Sequence, residues 1–471
     1  MMQAKTDKAS TREVVGWLGT MLLPPLAYWI GGQLGLSQQA AIFISIMVAV
    51  VLMWVFTLVD DYIPPLMGMS AALFFNLAPA SVALSGMASP SLLTLMGVFA
   101  LAMVIASSGL SRRLVLYLML KLPDRFILQQ NVLLFCGLLL SIVSPSGNSR
   151  VALLLPLFKE ISSSLGLAKR SVAITSLMAA TYGGAMLFST ALANSKSASI
   201  AALSMLPTHQ QTQYLGLFWV AAASVPMLVL LVIHLVTTRV MFAQQPATPL
   251  AKDVIAKHLQ SLGRFSSQER TACVAFVFFF LGSLTTSLHH LDTAKIAGLT
   301  LLLILLTGAL KKADFQSAMD WPMIFFMLGM DSMMRTMNYL GLDRQFAEFV
   351  GRLFGFVDGS FTLFALATLV TTIVLRLVLP VAAGMLLSFL IMLPVALDQG
   401  YSPWVCVFMT AIFSDIWFFR HQNSVYLIAW NSDAVMDYDH TWFMRHNMIM
   451  NAARALCVFA AIPWWQSMGL I

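Results

Sequence analysis

The stretch Ser144-Pro-Ser-Gly-Asn-Ser-Arg150 lies between two apolar segments, Val132 to Val143 and Val151 to Pro156. Unpaired backbone groups in hydrocarbon cost several kcal/mol each, so a broken backbone at membrane depth persists only inside protein or beside a water-filled cavity. An arginine at that depth adds a cost of about 3 kcal/mol. We therefore interpret residues 144–150 as a binding loop inside a membrane protein.

The composition supports a membrane location. The chain has 471 residues, of which 59% are hydrophobic and 10% are charged, whereas soluble domains average roughly 25% charged residues. Many segments of about 20 residues are nearly free of charge, as helices that cross a bilayer require. The net charge of +7 is explained by basic cytoplasmic loops and predicts no nucleic-acid partner. These features predict an all-α polytopic membrane protein.

The order of apolar segments predicts about eleven transmembrane helices and two re-entrant hairpins. The interval 126–165 is basic at both ends and polar in the middle, which favours a hairpin that enters and leaves on the cytoplasmic side. A second such interval, 360–397, is centred on Arg376 and Pro380. A broken helix is expected after each hairpin. The first is at 170–204, with interruptions at Tyr182-Gly-Gly184 and at 193–196, and the second is at 402–430, broken at Arg420-His-Gln-Asn423.

The two halves of the chain share a pattern. Ser108-Gly-Leu-Ser-Arg-Arg113 and Leu340-Gly-Leu-Asp-Arg344 each precede a hairpin and a broken helix. Such an inverted repeat is typical of secondary transporters, whose sites lie near the midplane at discontinuous helices. The predicted division is a cytoplasmic tail 1–12, a scaffold part 13–125 and transport part 126–240 of repeat 1, a cytoplasmic linker 241–270, and a scaffold part 271–356 and transport part 357–471 of repeat 2.

With these features the chain resembles the divalent anion:sodium symporter (DASS) family of the ion transporter superfamily. The resemblance covers about residues 85–460 and includes Leu-Pro near the end of each hairpin, at 155–156 and 393–394. It implies a homodimer that works by an elevator motion. It also implies that a Ser-Asn-Thr signature at each hairpin tip helps to bind carboxylate or sulfate together with sodium.

The signature is matched unequally in the two hairpins. The first has Gly147-Asn148-Ser149, whereas the corresponding place in the second is Met385-Leu386-Leu387, without Asn or Thr. In the broken helices, Asn194 and Asn423 correspond to the family's asparagine, but the neighbouring prolines are absent. At least one sodium site that the resemblance implies therefore lacks its signature residues in this sequence.

Cations and short polar groups at the tips and breaks are the candidate ligands. Arginine suits bidentate contacts with carboxylate, sulfate or phosphate, and helix ends exposed at a break add N–H donors. Oxygen ligands that suit sodium are offered by Ser146, Asn148 and Asn194. The candidate substrate-binding residues are Ser144, Ser146, Gly147, Asn148, Ser149, Arg150, Asn194, Lys196, Arg376, Arg420, His421 and Asn423.

Some of these residues have a second interpretation. Asp415 is either a proton-coupling carboxylate or the salt-bridge partner of Arg420, and the salt bridge is favoured. His421 is either a proton shuttle near neutral pH or a structural hydrogen-bonded residue. Asp331 and Arg335 lie four residues apart and are expected to form an intrahelical pair.

The sequence predicts a secondary active transporter of a di- or tricarboxylate, sulfate or phosphate-bearing anion. Sodium and protons are the candidate coupling ions, and anion exchange is a further mode. The expected location is a bacterial inner membrane, with the N-terminus cytoplasmic and the C-terminus extracytoplasmic. No Walker loop, nucleophile elbow, zinc motif or dinucleotide fingerprint occurs, so no enzyme and no resident cofactor is expected. The alternatives are a non-transporting sensor or assembly partner with a carrier fold and, last, an intramembrane enzyme acting on a lipid-linked anion.

Overall fold

The computed structural model describes residues 11–121, 126–144, 146–164, 167–243, 252–285, 289, 291–432 and 437–471. Within these ranges the chain forms α-helices and short 3₁₀ segments, and no β-strand. The predicted all-α architecture is therefore confirmed. Most of the predicted tail 1–12 and part of the predicted linker 241–270 lie outside the described residues.

The first half of the chain contributes helices that are mostly apolar. They are α1 Thr11–Gln33, α2 Gln38–Phe56, α3 Ile63–Phe74, α4 Ala80–Ala83, α5 Pro90–Ser107, α6 Leu110–Lys121, α7 Phe126–Val143, α8 Gly147–Ser164, α9 Val172–Met186, α10 Ser197–Ser204, α11 Thr208–Gln213 and α12 Leu217–Met241. 3₁₀ segments occur at Ser85–Ala88 and Ala193–Ser195.

The second half begins with a polar helix and continues with apolar ones. These helices are α13 Lys252–Ser261, α14 Ser267–Leu284, α15 Thr293–Leu306, α16 Lys312–Ala318, α17 Trp321–Tyr339, α18 Leu342–Leu353, α19 Phe361–Val378, α20 Val381–Asp398, α21 Pro403–Phe413, α22 Ser424–Asn431, α23 His440–Ala460 and α24 Ile462–Ser467. 3₁₀ segments occur at Gly355–Val357 and Arg420–Gln422.

Six spans within the described residues are long and apolar enough to cross a membrane by length and composition. They are α1, α2, α12, α19, α20 and the continuous stretch His440–Ser467. Large apolar side chains on outer helices are exposed, including Leu22, Val240 and Leu306. Apolar surface of this kind is suited to contact with lipid. The protein is an integral membrane protein, and the count of about eleven crossings stays a prediction.

The order of elements in the first half recurs in the second. Helices α5 to α8 have 18, 12, 18 and 18 residues, and α17 to α20 have 19, 12, 18 and 18. Each set is followed by a helix, a three-residue 3₁₀ segment and an eight-residue helix. The element order agrees with the predicted repeat, whereas its inverted orientation stays a prediction.

Both predicted hairpins contain a break where the polar or proline residues occur. Helix α7 ends at Val143 and α8 begins at Gly147, while α19 ends at Val378 and α20 begins at Val381. Proline has no N–H to donate and disfavours helical backbone in the residue before it. Pro380 therefore ends the helix at the short Leu379–Pro380 connection.

The predicted interruption at Tyr182-Gly-Gly184 is wrong, because α9 continues through it to Met186. The two glycines instead allow close helix packing. A Cβ on Gly184 would lie 2.5 Å from the backbone oxygen of Leu133 in α7, and one on Gly183 would lie 2.6 Å from Cε1 of His234 in α12. The break occurs after Met186, and the second predicted interruption coincides with the 3₁₀ segment Ala193–Ser195.

Candidate functional site

The two hairpin breaks and the two helix breaks meet at one cavity of about 560 Å³. Other helices also contribute lining residues, including Arg12 at the start of α1 and Met323 in α17. Most of the candidate residues from the sequence line this cavity. They are Ser146, Gly147, Asn148, Arg150, Lys196, Arg376, His421 and Asn423.

The remaining candidates lie elsewhere. Ser144 is buried behind the first break, where its backbone oxygen accepts a hydrogen bond from Arg150. Ser149 is exposed and does not line the cavity. Asn194 lines a separate, smaller cavity of about 70 Å³. Arg420 is exposed, and its guanidinium carbon lies 4.8 Å from the ring centroid of Trp430.

Four helix N-termini face the cavity. The first N–H groups of a helix have no partner within the helix, and the helix dipole places partial positive charge there. Backbone at such an end attracts anions. The helices are α8, α10, α20 and α22, whose first-turn residues at the cavity are Gly147, Asn148, Ser197, Ala198, Val381, Ala382, Ser424 and Val425.

A buried ion pair joins the two repeats at the cavity. Lys196, immediately before α10, donates to Oδ1 of Asp415 at 2.6 Å, to Oγ of Ser414 at 2.8 Å and to the oxygen of Ala411 at 2.8 Å. The other carboxylate oxygen of Asp415 accepts from the Ser189 hydroxyl. The predicted partnership of Asp415 with Arg420 is therefore wrong. A salt bridge pairs Asp415 with Lys196 across 219 positions of sequence.

Arg150 is bound to backbone carbonyls of its own repeat. Its Nε donates to the oxygen of Ala185 at 2.6 Å, and its Nη1 donates to the oxygens of Ser144 at 2.6 Å and Ser195 at 2.7 Å. The side chain is 1% exposed. The guanidinium thus connects the hairpin break to both sides of the helix break that follows α9.

Arg376 makes the corresponding contacts in the second repeat. Its Nε donates to the oxygen of Ser414 at 3.0 Å, its Nη1 to that of Leu379 at 2.8 Å and its Nη2 to that of Gln422 at 2.7 Å. The residue is 4% exposed. The second hairpin is in this way joined to the break between α21 and α22.

Asn423 caps α22 and connects it to the first repeat. Its side-chain oxygen accepts from the backbone N–H of Tyr426 at 3.0 Å, and its Nδ2 donates to the Tyr182 hydroxyl at 2.9 Å. A second link runs from Oγ of Ser424 to Oδ1 of Asn148 at 3.1 Å. The bond to Asn148 holds the N-termini of α8 and α22 next to each other, and the bond to Tyr182 joins α22 to α9.

The buried charge around the cavity is positive. Among the residues that the structure describes, Arg150, Lys196 and Arg376 are buried there with one buried carboxylate, Asp415. Two further lining carboxylates, Asp61 and Asp320, are exposed and lie just before α3 and α17. Three cations against one anion leave an excess of two positive charges in the buried part of the site. Together with the four helix N-termini, this arrangement suits a multiply charged anion.

Several contributors were not selected from the sequence. Ser189, Ser414 and Gln422 bind Asp415, Lys196 and Arg376 respectively. Gln422 lies within the polar stretch 420–423, which predicts the second helix break, so the sequence indicated that Gln422 lies at the site. The two serines adjoin ordinary apolar segments and carried no such signal.

Comparison with known proteins identifies the family of this chain. Residues 14–471 match the family described as the sodium:sulfate symporter transmembrane region. The chain belongs to this family. The DASS resemblance drawn from the sequence is thereby confirmed, and the sodium:sulfate symporter family makes the protein a secondary transporter of anions. No curated protein matches the chain.

A solved transporter structure shows the same fold at low sequence identity. The Alcanivorax borkumensis YdaH transporter shares 14% identity with this member of the sodium:sulfate symporter family, with a TM-score of 0.54. The match covers 83% of this chain and 88% of that one. Neisseria gonorrhoeae MtrF, described with a class of antimetabolite efflux pumps, shares 15% identity at a TM-score of 0.48, over 79% of this chain and 80% of that one.

Proposed function

We propose that the protein moves a small, multiply charged organic anion across a bacterial inner membrane. Family membership supports anion transport, and one observation carries the finer proposal. This observation is the convergence of four helix N-termini and three buried cations on a single cavity. Preorganised N–H groups and fixed positive charge favour an anion in the buried part of the cavity, where the carboxylate of Asp415 is already engaged by Lys196.

The lining favours an organic anion over sulfate. The first hairpin presents polar groups from Ser146 to Asn148, whereas the second presents an apolar wall from Leu377 to Ala382. A volume of about 560 Å³ falls within the range of small-molecule pockets, roughly 300–1,000 Å³. We infer a substrate with anionic groups at one side and hydrocarbon at the other, such as a di- or tricarboxylate or an organic phosphate.

The proposed mechanism is alternating access by an elevator motion. The hairpin and broken helix of each repeat, in transport parts 126–240 and 357–471, would move together against scaffold parts 13–125 and 271–356. The hairpins would be re-entrant from opposite faces, with the N-terminus cytoplasmic and the C-terminus extracytoplasmic. A homodimer would hold the scaffolds still. Support comes from the repeated element order and from a cavity that is lined by the breaks together with Asp61 and Asp320, which fall in the predicted scaffold parts.

A thermal-shift screen tests the substrate class. Organic di- and tricarboxylates or organic phosphates are expected to raise the unfolding temperature of the purified protein more than sulfate does at equal concentration. A ligand at 100 times its dissociation constant stabilises the folded state by about 2.7 kcal/mol. A neutral analogue of the best ligand is the matched control. Equal shifts from the neutral analogue, or a shift from sulfate alone, would contradict the proposed class.

We further propose that the fixed cations of the site compensate the charge of the bound anion in place of sodium. Transport would then need no sodium and would proceed by anion exchange or together with protons. The oxygens of Ala411, Ser414 and Asp415 form the kind of oxygen set that suits a hard cation, and Lys196 already binds them. Of the predicted sodium ligands, Ser146 and Asn148 line the main cavity, whereas Asn194 lines the other.

Replacement of sodium by choline tests this coupling. At fixed pH, anion uptake into proteoliposomes preloaded with unlabelled anion is expected to stay within about threefold of its rate in sodium, a change worth less than about 1 kcal/mol. Replacement of chloride by gluconate is the control for general effects of the medium. A tenfold or larger loss in choline would show that sodium drives transport.

A further inference from the structure

We propose that Arg150 and Arg376 are equivalent clamps, one in each repeat, and are not ligands of the transported anion. Each would fasten a hairpin break to the adjacent helix break, so that the four N-termini at the cavity keep their relative positions. The importance of the clamps for transport rests on the proposed function. Their existence does not, because it is a property of the anion-free protein.

The contacts of the two arginines correspond one to one. Each guanidinium binds a carbonyl within the hairpin connection, Ser144 or Leu379. Each binds a carbonyl at the end of the first part of the broken helix, which is Ala185 in one repeat and Ser414 in the other. The third carbonyl belongs in both cases to the last residue of the 3₁₀ segment, Ser195 or Gln422.

The two residues reach these equivalent carbonyls from different places in the sequence. Arg150 lies in the first turn of α8, after its hairpin break, whereas Arg376 lies in the last turn of α19, before its break. An alignment of the repeats therefore does not pair them. One arginine forms the three-carbonyl pattern from after its hairpin break and the other from before its break. This indicates that the site requires the pattern, and that it is not simply inherited from an aligned position of the repeat.

The chemistry of a broken helix explains this requirement. A break exposes carbonyl oxygens at the end of one part, with partial negative charge, and N–H groups at the start of the next, with partial positive charge. Guanidinium carries five N–H donors in a rigid fork and can satisfy several carbonyls at once. Its engagement with the carbonyl ends leaves N–H groups at the starts of α8, α10, α20 and α22 available to an anion, apart from those that Ser146 and Asn423 already cap.

Hydrogen–deuterium exchange in the absence of any anion tests the clamps. In Arg150→Gln, exchange is expected to quicken at least about tenfold at residues 144–150 and 187–196, the effect of losing hydrogen bonds to a charged group. Residues 379–384 and 414–423 should keep their protection. Arg376→Gln should give the opposite pattern. Arg445→Gln, which changes an exposed arginine lying over Trp442, is the control and should change neither region.

The result that would overturn the proposal is unchanged exchange in the anion-free variants with loss of anion binding, since that is the behaviour of direct ligands. Faster exchange throughout the chain would overturn it as well, because the effect would then not be confined to one repeat. If a glutamine variant cannot be purified, Arg150→Lys and Arg376→Lys serve instead. A point charge cannot span the three carbonyls, so the same repeat-specific pattern is expected with a smaller amplitude.

Discussion

Replacement of Lys196 by methionine is expected to destabilise the protein by about 3 to 5 kcal/mol and to abolish anion transport. The change leaves the buried carboxylate of Asp415, which is 3% exposed, without its cationic partner. It also removes a bond that joins the breaks of the two repeats. The free energy of unfolding can be measured by detergent titration in mixed micelles, and transport by uptake into liposomes.

The double variant Lys196→Met with Asp415→Leu separates charge burial from packing. It is expected to regain most of the lost stability, because an apolar pair replaces a buried ion pair at little cost, but not to regain transport. Lys295→Met is the matched control, since Lys295 pairs with Asp292 at 3.2 Å in an exposed position and should change stability by about 1 kcal/mol or less. A single Lys196→Met variant as stable as the unmodified protein would contradict the account.

Introduction of a carboxylate at the N-terminus of α20 is expected to reduce anion affinity by roughly 100-fold while the protein stays folded. In Ala382→Asp the new charge would lie at the cavity wall, where it competes with the substrate for the same N–H groups. Repulsion between two charges about 6 Å apart at an effective dielectric constant of about 20 is about 3 kcal/mol per charge pair. An aspartate in the first helical turn itself stabilises the helix by about 0.3–1 kcal/mol.

The comparison of Ala382→Asp with Ala382→Asn isolates charge, because the two side chains have nearly the same size. Anion affinity can be measured by isothermal titration, and thermal unfolding reports stability in the same samples. We expect affinity to fall steeply for the aspartate and at most about threefold, or less than about 1 kcal/mol, for the asparagine. Equal losses in both variants would assign the effect to steric blockage and would contradict an electrostatic role for this helix end.

The positions of the breaks could be predicted from sequence because they depend on local chemistry. Proline, glycine and small polar residues cannot continue a membrane helix without exposing backbone groups, and these residues mark Ser144–Arg150 and Pro380. Asn423 was selected because it corresponds to the family's asparagine, and its capping of α22 agrees with the preference of asparagine for helix starts. The glycines of Tyr182-Gly-Gly184 were misleading because glycine serves close packing as readily as a break.

The partners of the charged residues could not be predicted, because they depend on the tertiary fold. Asp415 lies five positions from Arg420 in sequence and yet pairs with Lys196, which comes from the other repeat. Arg420 instead lies over Trp430. The sequence suggested four cationic ligands for the anion. Three of them have protein partners instead, since Arg150 and Arg376 bind backbone carbonyls and Lys196 binds Asp415. The anion-attracting N–H groups carry no sequence signal of their own.

Counterflow in liposomes is the measurement that tests most directly whether this cavity carries an anion across the membrane. Vesicles containing the purified protein and a high concentration of unlabelled anion are diluted into a trace of the same anion with a label. Label is expected to accumulate transiently inside the vesicles above its equilibrium level. This accumulation should be lost in Ala382→Asp and retained in Ala382→Asn. Binding of the anion without any accumulation of label would contradict the account and identify a sensor with a carrier fold.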